Sequence, residues 1–365
     1  MKKSPFYPYW EKKNAEFATG LWAAPLKFTD SVEEELAVRR AIGVTDFSGM
    51  GKFNVCGPDA KAYIQKLIVN DMNKLEPGKV LYSCMTNEEG GIIDDFTIYC
   101  FTEEHYWVLS STGLRMKSKE WMLSHVGDFK VYVTDITSNY GLLAVQGPKS
   151  RDCLNCICDS KVDDLKYFRY KWVKIAGVDV LVSRTGFTGE LGYELFMMSE
   201  DSSDVWEALE NAGKDFGLKN IGITAAVFVL RTEKGYLAWD YSEQTNPYEM
   251  GLDWTVCLDT NFIGSDALRK IKETGVKNTL IGYELSDKTI VPANKSEVYV
   301  GDVPVGIVSS ACFSTTLDKS IGMLYIDSNY AKLGSTVQIK VPEGLKDAVL
   351  VNKIHYDHKG ALLHS

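Results

Sequence analysis

Residues 87–101 read NEEGGIIDDFTIYCF, and two adjacent carboxylates, Asp94 and Asp95, stand inside a run that is otherwise apolar and strand-like. Side chains alternate between the two faces of a strand, which groups Asp94 with Ile92, Phe96 and Ile98, and Asp95 with Ile93, Thr97, Tyr99 and Phe101. A charge in such company is costly unless it is solvated or bonded. Either the pair does chemistry, or one or both lie near the strand's start, in water or bonded to the Gly90–Gly91 turn. Periodicity does not choose between the two residues.

A second stretch, SRTGFTGELGYEL at 183–195, places Gly186, Gly189 and Gly192 at every third position. It matches neither a dinucleotide fingerprint nor a P-loop, since no Lys-Ser/Thr follows and no helix start is evident. Tight turns in a hairpin would account for the glycines. Glu190 and Glu194 are the chemical candidates there, because a carboxylate can accept two parallel hydrogens from a ring amino group and a neighbouring ring N–H. Pterins and purines both present that edge. In the third stretch, residues 230–254, Arg231 and Glu233 with Trp239 and Trp254 would line a pocket or form an ion pair beside core tryptophans. The five histidines suggest no Ser-His-Asp or Cys-His arrangement.

The elements that must carry these residues are readable in outline. Ser31 and Glu34 have the spacing of a capping box opening a helix with Leu36, Val38 and Ile42, stopped by Gly43. Residues 51–71 read as a strand, a Gly57-Pro58 turn and a helix burying Ala60, Tyr63, Ile64 and Leu67. The same unit returns at 142–159 around Gly147-Pro148, which suggests a duplicated α+β block. Residues 171–200 read as hairpins, and helices are expected over Val205–Phe216 and 222–236. From about residue 260 short strands dominate, as in a small β-barrel or jelly roll.

At 365 residues the chain is long enough for two or three domains. Its net charge of −9 argues against nucleic acid as a partner, which requires a basic surface. No apolar run approaches the roughly 18 residues of a membrane span. The N-terminus has no signal-peptide pattern, so a cytoplasmic location is expected. Cys153, Cys156 and Cys158 lack a second cluster at ligand spacing, so no metal is expected and core packing explains them better.

Taken together, and in this order, EEELAVRRAIGVTDFSGMGKFNVCGPDA, VLYSCMTNEEGGIIDDFTIY, LLAVQGPKS, VSRTGFTGELGYELF, NPYEMGLDWTV and GIVSSACFSTTLDKSIGMLYI resemble the successive signatures of one family. It is the T-protein (aminomethyltransferase) of the glycine cleavage system, with its tetrahydrofolate-dependent relatives. The resemblance covers nearly the full length. It implies an α+β clover-leaf of three domains around a central channel, two related α+β domains plus a C-terminal β-barrel or jelly roll. The expected boundaries are 1–50 with 136–250, then 51–135, then 260–365. It also implies that Asp95 is the catalytic aspartate, orienting tetrahydrofolate and holding the proton its nitrogen must lose. Met50 and Tyr82 would line the folate site, Glu194 would grip the pterin, and Trp254 would pack against the channel. Phe187 and Arg231 complete the cofactor-binding candidates.

The chain departs from the family pattern at several points. FATGLWAAPL stands for a phenylalanine-alanine-glycine-tryptophan stretch, and Gly49 replaces a histidine in DFSGM. An expected asparagine is replaced within Ser110-Ser111, and Gly222–Val227 has lost the arginine that helps hold folate. These changes concentrate where the donor and the folate tail should lie. They favour a folate-dependent demethylase or methyltransferase acting on a small N-, S- or O-methylated donor. The alternative is an aminomethyltransferase acting on an aminomethyl-lipoyl carrier protein, although a net charge of −9 does not favour an acidic carrier. A non-catalytic folate-binding protein on the same fold is the remaining reading.

Overall fold

The computed structural model describes residues 1–365 and contains the strand–glycine–helix unit twice. Strand Gly51–Cys56 ends at Gly57 and leads into helix Ala60–Leu67; strand Tyr140–Gln146 ends at Gly147 and leads into helix Ser150–Ile157. The two glycines share φ values of +141° and +132°, and a Cβ at either would stand 2.2–2.3 Å from a backbone oxygen, of Lys130 and Ala41 respectively. Only glycine tolerates both the angle and the approach. Ala60, Tyr63, Ile64 and Leu67 are buried, as their spacing requires. In the second copy Cys153 and Leu154 are buried while Cys156 is exposed, so the three cysteines do not share one core position.

Each unit belongs to its own sheet. The first lies in a five-stranded antiparallel sheet ordered Val80–Thr86, Ile92–Thr102, His105–Ser110, Gly51–Cys56, Tyr132–Asp135. The second lies in a six-stranded sheet ordered Tyr170–Ile175, Val178–Ser183, Gly192–Met198, Tyr140–Gln146, Ile42–Asp46, Leu218–Asn220, whose last pair is parallel. Six further strands, from Asn278–Leu285 to Gly344–Val351, close into a barrel. The fold is α+β with a C-terminal closed barrel, and not a jelly roll. No helix is long and apolar enough to cross a membrane.

Two expected elements are drawn differently. Helix Ser31–Arg40 is capped by Asp30, which accepts the Val32 N–H at 2.8 Å, and Ser31 is already helical. Glu34 does not close a capping box. It accepts from the backbone of Phe28, Thr29 and Gly222, tying the chain before its helix to residue 222. The helix ends at Arg40, and Ile42 opens a strand instead. The helix expected over 222–236 is a π-helix at Thr224–Leu230 followed by one α-turn, Arg231–Glu233.

Strand Ile92–Thr102 sits where these bodies meet. Ile93, Phe96 and Ile98 pack into the core of the five-stranded sheet with Phe53, Tyr63 and Leu67. Tyr99 packs with Trp107, Leu142 and Phe196 between the two sheets. Ile92 joins Met250, Leu268 and Met323, which links the strand's start to the barrel.

Candidate functional site

A register shift where Met85 and Thr86 meet Asp94 and Ile92 alters the alternation assumed above. Past the bulge the pattern holds. Before it, Ile93 packs with Phe96 and Ile98, and Ile92 faces the other cluster, the reverse of simple alternation. Gly91 is what lets a second segment reach this point: a Cβ there would lie 1.7 Å from the carbonyl oxygen of Glu243. The Ile92 N–H then bonds the Thr245 carbonyl, and the loop carries Tyr241 onto the aspartates.

The two carboxylates are surrounded differently. Asp94 is fully buried, and Ser110 and Ser118 donate to its Oδ2 at 2.6 and 2.5 Å. Ser111 at 3.2 Å and the Tyr241 hydroxyl at 3.1 Å stand at its Oδ1. Asp95 is half-buried and holds only two side-chain hydroxyls: Tyr241 at 2.6 Å from Oδ1 and Tyr82 at 2.7 Å from Oδ2. Each carboxylate oxygen offers about two acceptor positions, so one on each Asp95 oxygen stays open. Burial, and then the charge of Asp94, push Asp95 up to about 6. Burial also raises Asp94, against the pull of its serine and tyrosine hydroxyls. Neither aspartate is bonded to the Gly90–Gly91 turn.

The same face of the strand leads to a third carboxylate. Tyr99 lies four residues beyond Asp95, about 13 Å along the strand at ~3.3 Å per residue. Its hydroxyl donates to Glu194 Oε2 at 3.3 Å, and Thr185 donates to the same oxygen. Oε1 has no protein partner. Burial raises the Glu194 carboxyl, while Thr185, Tyr99 and the charge of Lys52 oppose this. Met50 packs in the Tyr99 cluster, and its carbonyl accepts from Lys52 Nζ at 3.1 Å. Trp254, 64% exposed, stacks on Tyr82 with ring centroids 5.7 Å apart and planes 18° apart. Asp95, Tyr82, Trp254, Glu194 and Met50 thus line one face, joined by Tyr241, Tyr99 and Thr185, which sequence reasoning did not single out. Tyr241 lies in a turn segment with no periodicity to mark it. No group of three or more metal-ligating side chains is gathered anywhere.

Comparison with known proteins bears on this arrangement. The family model of the GCVT N-terminal domain matches residues 6–260, and that of the glycine cleavage T-protein C-terminal barrel domain matches residues 278–357. The chain belongs to the glycine cleavage T-protein family. It is 39% identical to an aminomethyltransferase of Caldanaerobacter subterraneus, over 98% of this chain and 96% of that one. It is 38% identical to an aminomethyltransferase of a Thermotoga species, over 98% of both. A crystal structure of glycine cleavage system aminomethyltransferase T from Bartonella henselae superposes with a TM-score of 0.90 at 22% identity, covering 98% of each chain.

Within this T-protein-family fold the departures have visible consequences. A Cβ at Gly49 would stand 3.1 Å from both Trp22 and Thr112, so those side chains occupy the room a histidine would need. The Ala226 and Val227 side chains pack with Val38, Ile221, Leu230 and Phe47, an apolar setting. Arg231 has protein partners for its whole guanidinium. It is fully buried, pairs with Asp240 at 2.7 Å, and donates to Ser310 and to the carbonyls of Val227 and Tyr236. Its guanidinium also lies 4.3 Å from the Trp239 ring, so it braces the helix against the barrel. Glu233 pairs with Arg39 rather than Arg231, and Glu190 shares Arg39 and accepts from Tyr356 at 2.6 Å. Phe187 is half-buried and stacks on Tyr236 at 5.8 Å, apart from the aspartates' hydrogen-bond network. Gly186 and Gly192 leave room for the Gln146 side chain, which accounts for two of the three regularly spaced glycines.

Proposed function

We propose that the chain is a tetrahydrofolate-dependent one-carbon transferase, and specifically an aminomethyltransferase that takes its carbon from an aminomethyl-lipoyl carrier protein. The observation carrying this reading is Asp95: half-buried, poised near neutrality, held by two tyrosine hydroxyls and open on one side. The residues suit a folate. Glu194 keeps one oxygen for a donor edge, and the exposed ring of Trp254 offers a stacking face above Tyr82. Tetrahydrofolate, when bound, supplies the ring nitrogens that take up the carbon.

The chain's own part is to position and to move a proton. At pH 7 Asp95 is mostly ionised, yet its raised pKa makes it a competent acceptor for a proton leaving a nitrogen. Tyr82 and Tyr241 fix the plane of its carboxylate, and Asp94 supplies the second charge that favours protonation. Apolar walls strengthen its interaction with a cationic donor group.

The order of preference formed from the sequence placed a demethylase first. Relatives spanning 98% of this chain at 37–39% identity are aminomethyltransferases, which reverses that order. The demethylase remains the second reading, favoured by Gly49 and by the apolar setting of Ala226 and Val227. The test supplies tetrahydrofolate with either an aminomethylated lipoyl carrier protein or N-methylglycine. Ammonia released only with the carrier, and lost in Asp95→Asn, supports the aminomethyltransferase. Carbon taken only from N-methylglycine supports the second reading. Transfer from neither, with folate still bound, leaves a binding protein.

A further inference from the structure

The wall around Trp22 holds cations that the protein does not neutralise. Arg115 opens helix Arg115–Ser124 and is 4% exposed, yet its Nε has no partner. Its one polar side-chain contact runs from Nη2 to the Met116 sulfur at 3.8 Å. Its helix neighbours are paired, Lys117 with Glu243 and Lys119 with Asp135. Asp135, which feels the Arg115 charge, is engaged by Lys119 and Thr137. Trp22, 8% exposed, likewise leaves its indole Nε1 without an acceptor. Arg115 Cζ lies 6.0 Å and Lys2 Nζ 5.8 Å from the Trp22 ring. Along Trp22 runs a cleft of about 360 Å³, lined also by Lys2, Lys3, Ser48, Thr137 and Ser199.

A buried guanidinium without a counter-charge is expensive, and the cost is not forced by scarcity. The chain carries 49 acidic residues against 40 basic ones. Elsewhere Arg231 is matched by Asp240 and Arg39 by Glu190 and Glu233, while the buried Arg184, which has no acidic side chain beside it, gives its donors to the Gly192, Leu363 and Ser365 oxygens; Arg115 has neither kind of partner. The position is also functional ground. Gly51 faces the Arg115 stem, where a Cβ would meet Cγ at 2.6 Å. Gly51 pairs across the sheet with Ser110, whose hydroxyl bonds Asp94, and Ser118, one turn beyond Arg115, bonds the same carboxylate. Arg115 therefore packs on a strand that one strand, His105–Ser110, separates from the aspartate pair.

We propose that Arg115 and Trp22, with Lys2 at the rim, form a carboxylate-binding subsite beside the aspartates. The planar guanidinium fork matches a carboxylate's two oxygens, and the unpaired indole N–H adds a third donor. The carboxylate belongs either to the glutamate end of tetrahydrofolate or to the one-carbon donor. The subsite rests on the folate reading only for the identity of its occupant.

Calorimetric titration of the full chain tests this with four probes: tetrahydrofolate, tetrahydropterin, p-aminobenzoylglutamate and N-methylglycine. For a folate-tail carboxylate, Arg115→Gln weakens tetrahydrofolate and p-aminobenzoylglutamate at least about tenfold and leaves tetrahydropterin unchanged, as loss of a charge-assisted pair requires. Selective tenfold weakening of N-methylglycine instead assigns the subsite to the donor. Trp22→Phe and the exposed Lys2→Ala, each with a smaller loss for the same probes, keep the test valid if Arg115→Gln does not fold. Folded Arg115→Gln binding all four probes like wild type overturns the subsite. So does a wild type that binds neither carboxylate fragment and holds tetrahydrofolate no more tightly than tetrahydropterin. Arg115-dependent binding of a carboxylate fragment without any binding of tetrahydropterin supports the subsite and counts against the folate reading, so the two failures are separable.

Discussion

Asp94 and Asp95 are neighbours in sequence and opposites in environment. Asp94 is enclosed by Ser110 and Ser111 at the end of one strand, Ser118 of the following helix and the Tyr241 hydroxyl. Asp95 is held by Tyr82 and Tyr241, from different segments, and keeps an open side. A carboxylate that takes three serine hydroxyls across both oxygens is part of the scaffold. One that is half-filled and pushed up to about 6 can exchange a proton. The difference teaches that burial alone does not mark a reacting group: the more buried of the two is the less available.

The comparison can be broken first by removing each carboxylate. Asp95→Asn is expected to lower single-turnover transfer by about a thousandfold, within the range for loss of a positioned proton acceptor, with folate affinity little changed. Asp94→Ala is expected to act on stability instead. It strands the buried hydroxyls of Ser110 and Ser118, and chemical denaturation should show a loss of about 2–4 kcal/mol. If Asp94→Ala abolishes transfer in stable protein while Asp95→Asn does not, the roles are exchanged.

Stability against pH sharpens the contrast. The folded pKa of Asp95 lies above its ordinary value, so its protonated form is favoured by folding. That contribution is fully present below about pH 4 and is lost as pH rises through about 6. Asp95→Asn should therefore be more stable than wild type by about 1–3 kcal/mol at pH 7, and the gap should close toward pH 4. Thermal melts across that range check it. A gap that widens on acidification would contradict it.

The smallest effect belongs to the shared tyrosine. Its hydroxyl holds the Asp95 pKa down, so Tyr241→Phe should move the acid limb of kcat/KM to higher pH by less than about one unit, with a rate loss of about tenfold or less. A limb that shifts toward acid would show that Tyr241 does not donate to Asp95.

Much of the frame was legible from the chain. The Gly57 and Gly147 units stood out because glycine is required where a carbonyl packs against Cα, and the barrel strands because short alternating runs follow one another. Glu194 and Tyr82 were reached by resemblance, and the structure sets them on the same face as Asp95. What escaped depended on non-local contact. Tyr241 comes from a turn brought in by the close approach of Gly91 to Glu243, and no window of sequence encodes that meeting. Arg231 looked like a pocket residue because its partners Asp240 and Ser310 are set by the docking of the barrel. The bulge before Asp94 reversed Ile92 and Ile93 for the same reason: register is set by the partner strand.

The most direct test is a carbon-13 titration of the aspartate carboxyls in wild type, Asp94→Asn and Asp95→Asn. The account predicts one carboxyl titrating near pH 6, absent in Asp95→Asn and still present in Asp94→Asn with its midpoint lowered by loss of the neighbouring charge. Disappearance of that signal in Asp94→Asn alone, or an Asp95 carboxyl titrating in the ordinary range near 4, would contradict it.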